Sequence, residues 1–177
     1  MRLFVGVELP WELRQRLINL AGGLPGARWV PQENLHLTLR FVGEVPPNQA
    51  EEVDLALAAL RGRPFELAVG GVGTHNRGGR EVALWVGVDK TPTLEHLQSK
   101  IETALQRAGL PPERRRFIPH VTLARLDSFV EAKLAAYVQT NNLFRAGPVT
   151  MDRFTLFSSQ LGKEASVYTS EVEYPLS

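Results

Sequence analysis

Residues Asn34–Glu44 read NLHLTLRFVGE. Leucine returns at every second position, at 35, 37 and 39, which is the period of a strand with one buried face. Strict alternation then puts His36, Thr38 and Arg40 together on the opposite face. A sheet that only has to be stable gains nothing from an imidazole there. The pattern returns in PHVTLAR, residues 119–125, where His120 and Thr122 share one face and Val121 and Leu123 the other. The two His-x-Thr strands lie 84 positions apart, about half the chain, which predicts two similar lobes that each lend a strand to a central cleft.

The rest of the chain fits around these strands. RLFVGVEL (2–9) reads as a strand, and Pro10 opens a helix, WELRQRLINLAG, that Gly22 and Gly23 stop. RWV (28–30) is a short strand, and Pro46 and Pro47 end the first His-x-Thr segment. Residues 48–62 have helical spacing, with Leu55, Ala58, Ala59 and Leu60 expected inward. Segments 65–75 and 80–89 form a hairpin around the turn residues HNRGG. Residues 91–110 give the clearest helix, capped by Thr91 or Thr93, with Leu94, Leu97, Ile101 and Leu105 on one side. A PPERRR loop leads into the strand FIPHVTLARL, residues 128–140 are helical, and 144–151, 152–160 and 165–176 are strands. Strands and helices mixed in this order make an α+β or α/β layered protein.

Composition narrows the function. The chain of 177 residues is long enough for one domain with a real core or for two lobes sharing one. Its formal net charge of +1 gives no general basic field for nucleic acid, so any polyanion site must be local. There are no cysteines, hence no disulfides, thiolate nucleophiles or thiolate metal sites. The opening MRLFVGVELPWELRQ has too short an apolar run for a signal peptide, and no window is apolar enough to cross a membrane.

The paired histidines suit cleavage of a phosphate ester. In-line displacement at phosphorus needs a base on the attacking oxygen and an acid on the leaving one, on opposite sides. Two imidazoles can do both near neutral pH, and threonine hydroxyls can donate to the non-bridging oxygens as charge builds there. This chemistry calls for no metal. A lone strand histidine is usually just a half-buried polar residue. Two of four histidines carrying Thr at +2 is a coincidence on the order of 1% if Thr is about one residue in twenty.

With both motifs in view, the chain resembles the two-histidine phosphoesterase superfamily, and within it the RNA 2′,3′-cyclic phosphodiesterase / 2′-5′ RNA ligase family. The likeness runs through RLFVGVELP, WVPQENLHLTLRFVGEV, RRFIPHVTLAR and the closing FTLFSSQLGKEASVYTSEVEYPL. It implies an α+β, bilobal fold over residues 1–177, with pseudo-symmetric lobes, antiparallel sheets lining a groove and helices outside. It implies hydrolysis of 2′,3′-cyclic phosphate at RNA or nucleotide ends to 2′-phosphomonoesters. By motif position His36 would be the proton donor to the leaving 3′ oxygen and His120 the proton acceptor from water, although symmetry alone would allow the reverse. Thr38 and Thr122 would hold the phosphate. No cofactor or metal is called for, and a cytoplasmic monomer is expected.

Phe41 and Arg125 stand five residues after each histidine, where the resemblance would put a base-stacking ring and a phosphate- or base-binding cation. Strict alternation turns both away from the histidines, so a bulge, twist or strand end must intervene. Arg40 is the alternative cation. Arg114, Arg115 and Arg116 are either a solvated loop or contacts for an RNA backbone. His75, in a Gly-rich turn beside Asn76 and Arg77, reads as an exposed turn residue ahead of a groove-edge one, His96 as a surface residue, and Trp29 and Trp85 as core. Gly70, Gly71 and Gly73 make no phosphate cradle, because no helix start follows. Reverse ligation of 2′-5′ ends and nucleotide binding without turnover are the alternatives. Ligation shares the hydrolytic transition state, whereas mere binding has no need of two imidazoles.

Overall fold

The computed structural model describes all 177 residues as two antiparallel sheets and four α-helices. The first sheet has the order β3-β1-β8-β9, from His36–Glu44, Arg2–Glu8, Arg153–Leu161 and Ser166–Pro175. The second has the order β2-β6-β5-β4-β7, from Ala27–Trp29, His120–Leu126, Val82–Val88, Phe65–Asn76 and Arg145–Met151. This is the expected α+β two-lobed architecture. Each lobe owns one His-x-Thr strand, but β3 is an edge strand and β6 lies one place in, covered by the three residues of β2.

The helices tie the lobes together. α1 (Trp11–Ile18) follows β1 of the first sheet but packs on β7 of the second. α3 (Pro92–Arg107) follows β5 of the second sheet, packs on α2 (Pro47–Ala58) and touches both β3 and β4. α4 (Glu131–Asn141) lies against β4. One continuous cluster of 40 buried residues therefore runs through both lobes. α3 matches its pattern: Leu94, Leu97, Ile101 and Leu105 are buried, and the Thr91 hydroxyl accepts from the Leu94 N–H at 3.2 Å, a cap contributing about 1 kcal/mol. In α2 the expected inward face is wrong by part of a turn. Val53 and Leu57 are buried, Leu55 is 68% exposed, and Ala58 and Ala59 face solvent. The run of leucines and alanines there is apolar almost all round, so spacing alone left the orientation open.

Both His-x-Thr strands depart from strict alternation at the same point. On β3, Thr38 pairs with Gly6 and Arg40 with Val5, so Leu39 is an extra residue. On β6, Thr122 pairs with Trp85 and Ala124 with Leu84, so Leu123 is extra. Each bulge shifts the side-chain phase by one residue. Leu39 and Arg40 are consequently both buried, as are Leu123 and Ala124, and Phe41 and Arg125 swing out to the histidine face.

Candidate functional site

The phase shift settles the second-tier residues. Phe41 is 54% exposed, with its ring 6.3 Å from Phe4, whose own ring lies 4.9 Å from His36. Arg125 is exposed on the His120 side of β6. Arg40, expected beside His36, lies instead on the buried face. Its guanidinium bonds Glu102 at 2.6 Å, the Pro111 carbonyl at 2.6 Å and the Phe41 carbonyl at 2.7 Å. It cannot serve as a groove cation, because the bulge has carried it to the other side of the sheet.

The two imidazoles are held alike. His36 Nδ1 lies 2.7 Å from the Asn34 carbonyl, and His120 Nδ1 lies 2.7 Å from the Ile118 carbonyl, in each case two residues back. A carbonyl only accepts, so Nδ1 carries the hydrogen and Nε2 is left to exchange protons. His36 Nε2 lies 2.8 Å from the Thr38 hydroxyl, which donates to it when the ring is neutral. Asn34 is buried and unusually placed. Its backbone carbonyl fixes His36 while its side-chain amide donates to the Ser166 carbonyl at 2.7 Å, locking the start of β3 to the β8–β9 hairpin.

The surroundings of the two rings differ. His36 is packed among Phe4, Phe157 at 6.2 Å and Tyr168 at 5.2 Å, the last edge-on. This burial pushes the His36 pKa down, the Asn34 carbonyl pulls it back up in part, and charge on His120 lowers it further. His120 is more open, with Trp85 at 6.2 Å and His75 at 5.8 Å, the latter edge-to-face. Trp85 is thus a wall of the groove rather than core. Its ring leaves room only for glycine opposite, since a β-carbon at Gly73 would come within 2.5 Å of it. His75 is exposed as expected, yet it stands beside His120, which its turn-like sequence did not reveal. Burial, with help from His120 and Arg77, lowers its pKa. His96 and Arg114, Arg115 and Arg116 are exposed, and Trp29 packs against Tyr137 at 6.0 Å. No three histidine or carboxylate side chains converge as metal ligands do, and no helix is long and apolar enough to cross a membrane.

His36, Thr38, His120 and Thr122 lie on the two strands where the sequence expected them, and beside the two imidazoles stand Asn34, His75, Trp85 and Tyr168, which the sequence reading did not place there. Of these only Asn34 had a usable signal, as a polar residue directly before a strand of alternating leucines.

Two imidazole–hydroxyl pairs, on strands from two sheets that meet without hydrogen bonding to each other, are the equipment of two-histidine phosphoester chemistry. A model of the 2′-5′ RNA ligase superfamily matches residues 12–163, and the chain belongs to that superfamily. It is 34% identical over 128 residues to an RNA 2′,3′-cyclic phosphodiesterase of Geobacillus stearothermophilus, a match that takes in 69% of this chain and 41% of that protein. It is 30% identical over 174 residues to an RNA 2′,3′-cyclic phosphodiesterase of Thermotoga maritima, covering 95% of this chain and 91% of that one. The crystal structure of E. coli LigT complexed with 3′-AMP superposes with a TM-score of 0.80 at 28% identity, over 99% of this chain and 97% of that one.

Proposed function

We propose that the protein hydrolyses 2′,3′-cyclic phosphate ends of RNA or nucleotides to 2′-phosphomonoesters, with the two histidines as its acid and base. The observation that carries this reading is the matched pair of imidazoles, each anchored through Nδ1 to the carbonyl two residues back and each followed two residues on by a threonine, with the Thr38 hydroxyl 2.8 Å from His36 Nε2. The names of the relatives support the same activity.

In the proposed step His120 Nε2 takes a proton from water as the new O–P bond forms. The P–O3′ bond breaks, and His36 Nε2 gives its proton to O3′. Thr38 and Thr122 donate to the non-bridging oxygens, Phe41 stacks on the base and Arg125 pairs with phosphate or base. Turnover leaves His120 protonated and His36 neutral, and solvent exchange resets both. For this cycle His36 must be charged when substrate is bound, although its aromatic surroundings favour the neutral ring in the free protein. The anion itself reverses the balance. A phosphodiester between the rings attracts the imidazolium and takes up the Thr38 hydroxyl, freeing Nε2 to hold a proton.

That argument gives a sign. In the free protein His36 titrates below an ordinary histidine, which titrates at about 6.5. A bound nucleoside 2′-phosphate moves it upward. Imidazole NMR shifts of His36, followed against pH with and without the 2′-nucleotide, measure both. A free-state midpoint at or above the ordinary value contradicts the burial argument.

The activity is tested with a 2′,3′-cyclic mononucleotide and with a short RNA carrying the same end, both in EDTA, the products being resolved as 2′- or 3′-phosphates. Formation of the 2′-phosphate, unaffected by EDTA, is the expected result. A 3′-phosphate product, or no turnover of either substrate, overturns the proposal.

A further inference from the structure

The two imidazoles are not equally restrained. The His36 ring is held at both nitrogens, by the Asn34 carbonyl at 2.7 Å and the Thr38 hydroxyl at 2.8 Å, and lies among three aromatic rings. The His120 ring has one hydrogen bond, from Nδ1 to the Ile118 carbonyl, and two ring neighbours, Trp85 at 6.2 Å and His75 at 5.8 Å. One bond leaves a half-exposed ring free to pivot about it. The orientation of His120 therefore depends on those two neighbours.

His75 comes from β4, and β5 lies between β4 and β6. Strands two places apart are separated by roughly 10 Å, so the rings of His75 and His120 meet by leaning across β5. The middle strand leaves them room. Ala83 pairs with His75 and Gly87 with His120, while Trp85 between them pairs with Gly73 and Thr122. Trp85 and His75 together border the His120 ring, at 55° and 78° to its plane. The charged and titratable groups around His75 are His120 of β6, Arg77 of its own strand, and Arg125, in register on the far side of Ala83. The carboxylate of the hairpin loop, Glu81, is paired with Arg77 at 3.6 Å. Burial, then the two nearby cations, lowers the His75 pKa. The ring is thus uncharged near neutral pH and does not repel the imidazolium that His120 becomes in the proposed step.

We propose that His75 is a positioning residue for the base: its ring walls the His120 imidazole so that Nε2 stays aimed at the attacking water. The proposal rests on the phosphodiesterase reading and adds to it a third imidazole, one that exchanges no proton with substrate. The role calls for a flat, uncharged ring and not for a nitrogen.

The test compares His75→Ala and His75→Phe with wild type in steady-state kinetics on a 2′,3′-cyclic mononucleotide. Three-bond Hα–Hβ couplings of His120 are measured by NMR in the same free proteins. His75 is exposed, so both variants keep the fold. In His75→Ala kcat is expected to fall about tenfold, with KM within about twofold of wild type. That loss lies between the ~threefold of a base spread evenly over three staggered rotamers and the ~10²-fold of one displaced by about 1 Å. His75→Phe keeps a ring without a titrating nitrogen and is expected to bring kcat back to within about threefold of wild type. The couplings are expected to report one χ1 rotamer of His120 in the wild type and the Phe variant, and rotamer averaging in the Ala variant. Unchanged kcat in His75→Ala, a Phe variant no better than Ala, or a loss carried by KM overturns the positioning role. The phosphodiesterase reading fails separately, by absence of wild-type turnover, and the couplings then still decide whether His75 holds His120.

Discussion

Replacing His36 or His120 by alanine is expected to lower kcat on a 2′,3′-cyclic phosphate by about 10²- to 10⁴-fold, the usual contribution of one positioned acid or base. The double variant is expected to lose little more than the worse single one, because an acid and a base that act in the same displacement lose their value together. Both side chains are partly exposed on the groove face, and each bonds a carbonyl two residues back in the chain, so removing them leaves the core untouched. The fold should survive, with an unchanged circular dichroism spectrum and a similar melting point. Single-turnover kinetics on a cyclic mononucleotide is the measurement. Full activity in either variant would remove that histidine from the chemistry.

The largest effect on stability is expected at a residue on the other side of the same strand. Arg40 has a side chain only 6% exposed, paired with Glu102 at 19%. Burial pushes the Glu102 carboxyl up, but hydrogen bonds from Arg40, Gln106 and the Glu113 N–H outweigh it and hold the carboxyl below its ordinary range. Arg40→Ala leaves that carboxylate unpaired and strips the Pro111 and Phe41 carbonyls of their donors. Breaking a buried pair from one side costs about 3–5 kcal/mol. Some water reaches Glu102, which favours the lower end, and a loss of about 3 kcal/mol lowers Tm by roughly 6–12 °C in a chain of this size. Urea unfolding would measure it, and a loss below about 1 kcal/mol would show that the pair is solvated. Arg40→Met combined with Glu102→Leu should recover most of the loss, since the damage comes from the orphaned charge. The carboxyl's lowered pKa adds a pH dependence. The wild type gains stability from this pair above the ordinary carboxylate range and loses it as pH falls through the folded-state value.

The contrast between His36 and Arg40 shows how far sequence reasoning reaches. Period-2 alternation placed His36, Thr38, His120 and Thr122 on their correct faces, since all four precede the bulges. It failed for Arg40 one residue beyond, and it could not say which way Phe41 and Arg125 point. Leu39 and Leu123, the extra residues, are ordinary strand formers that carry no glycine or proline to announce a kink. The bulge is imposed by pairing with β1 and β5, strands far away in sequence. His75 and Trp85 escaped for a similar reason. Their nearness to His120 comes from three strands lying side by side, and nothing in GTHNRGG or ALWVG records that neighbour. The helix 91–110 was legible because its pattern, its cap and its buried face are all local.

β3 and β6 belong to different sheets, so no ladder of backbone bonds fixes the gap between the two imidazoles. α3, wedged against β3 of one sheet and β4 of the other, ties that gap to the leucines and isoleucine on its buried side. The interior works as a caliper whose jaws are the two histidines. Trimming a methyl group at Leu97 or Ile101, far from any substrate, would open or close the jaws by fractions of an ångström. In-line proton transfer tolerates such drift poorly, whereas folding tolerates it well. Changes of rate should therefore register disturbance of this interior before any loss of structure does.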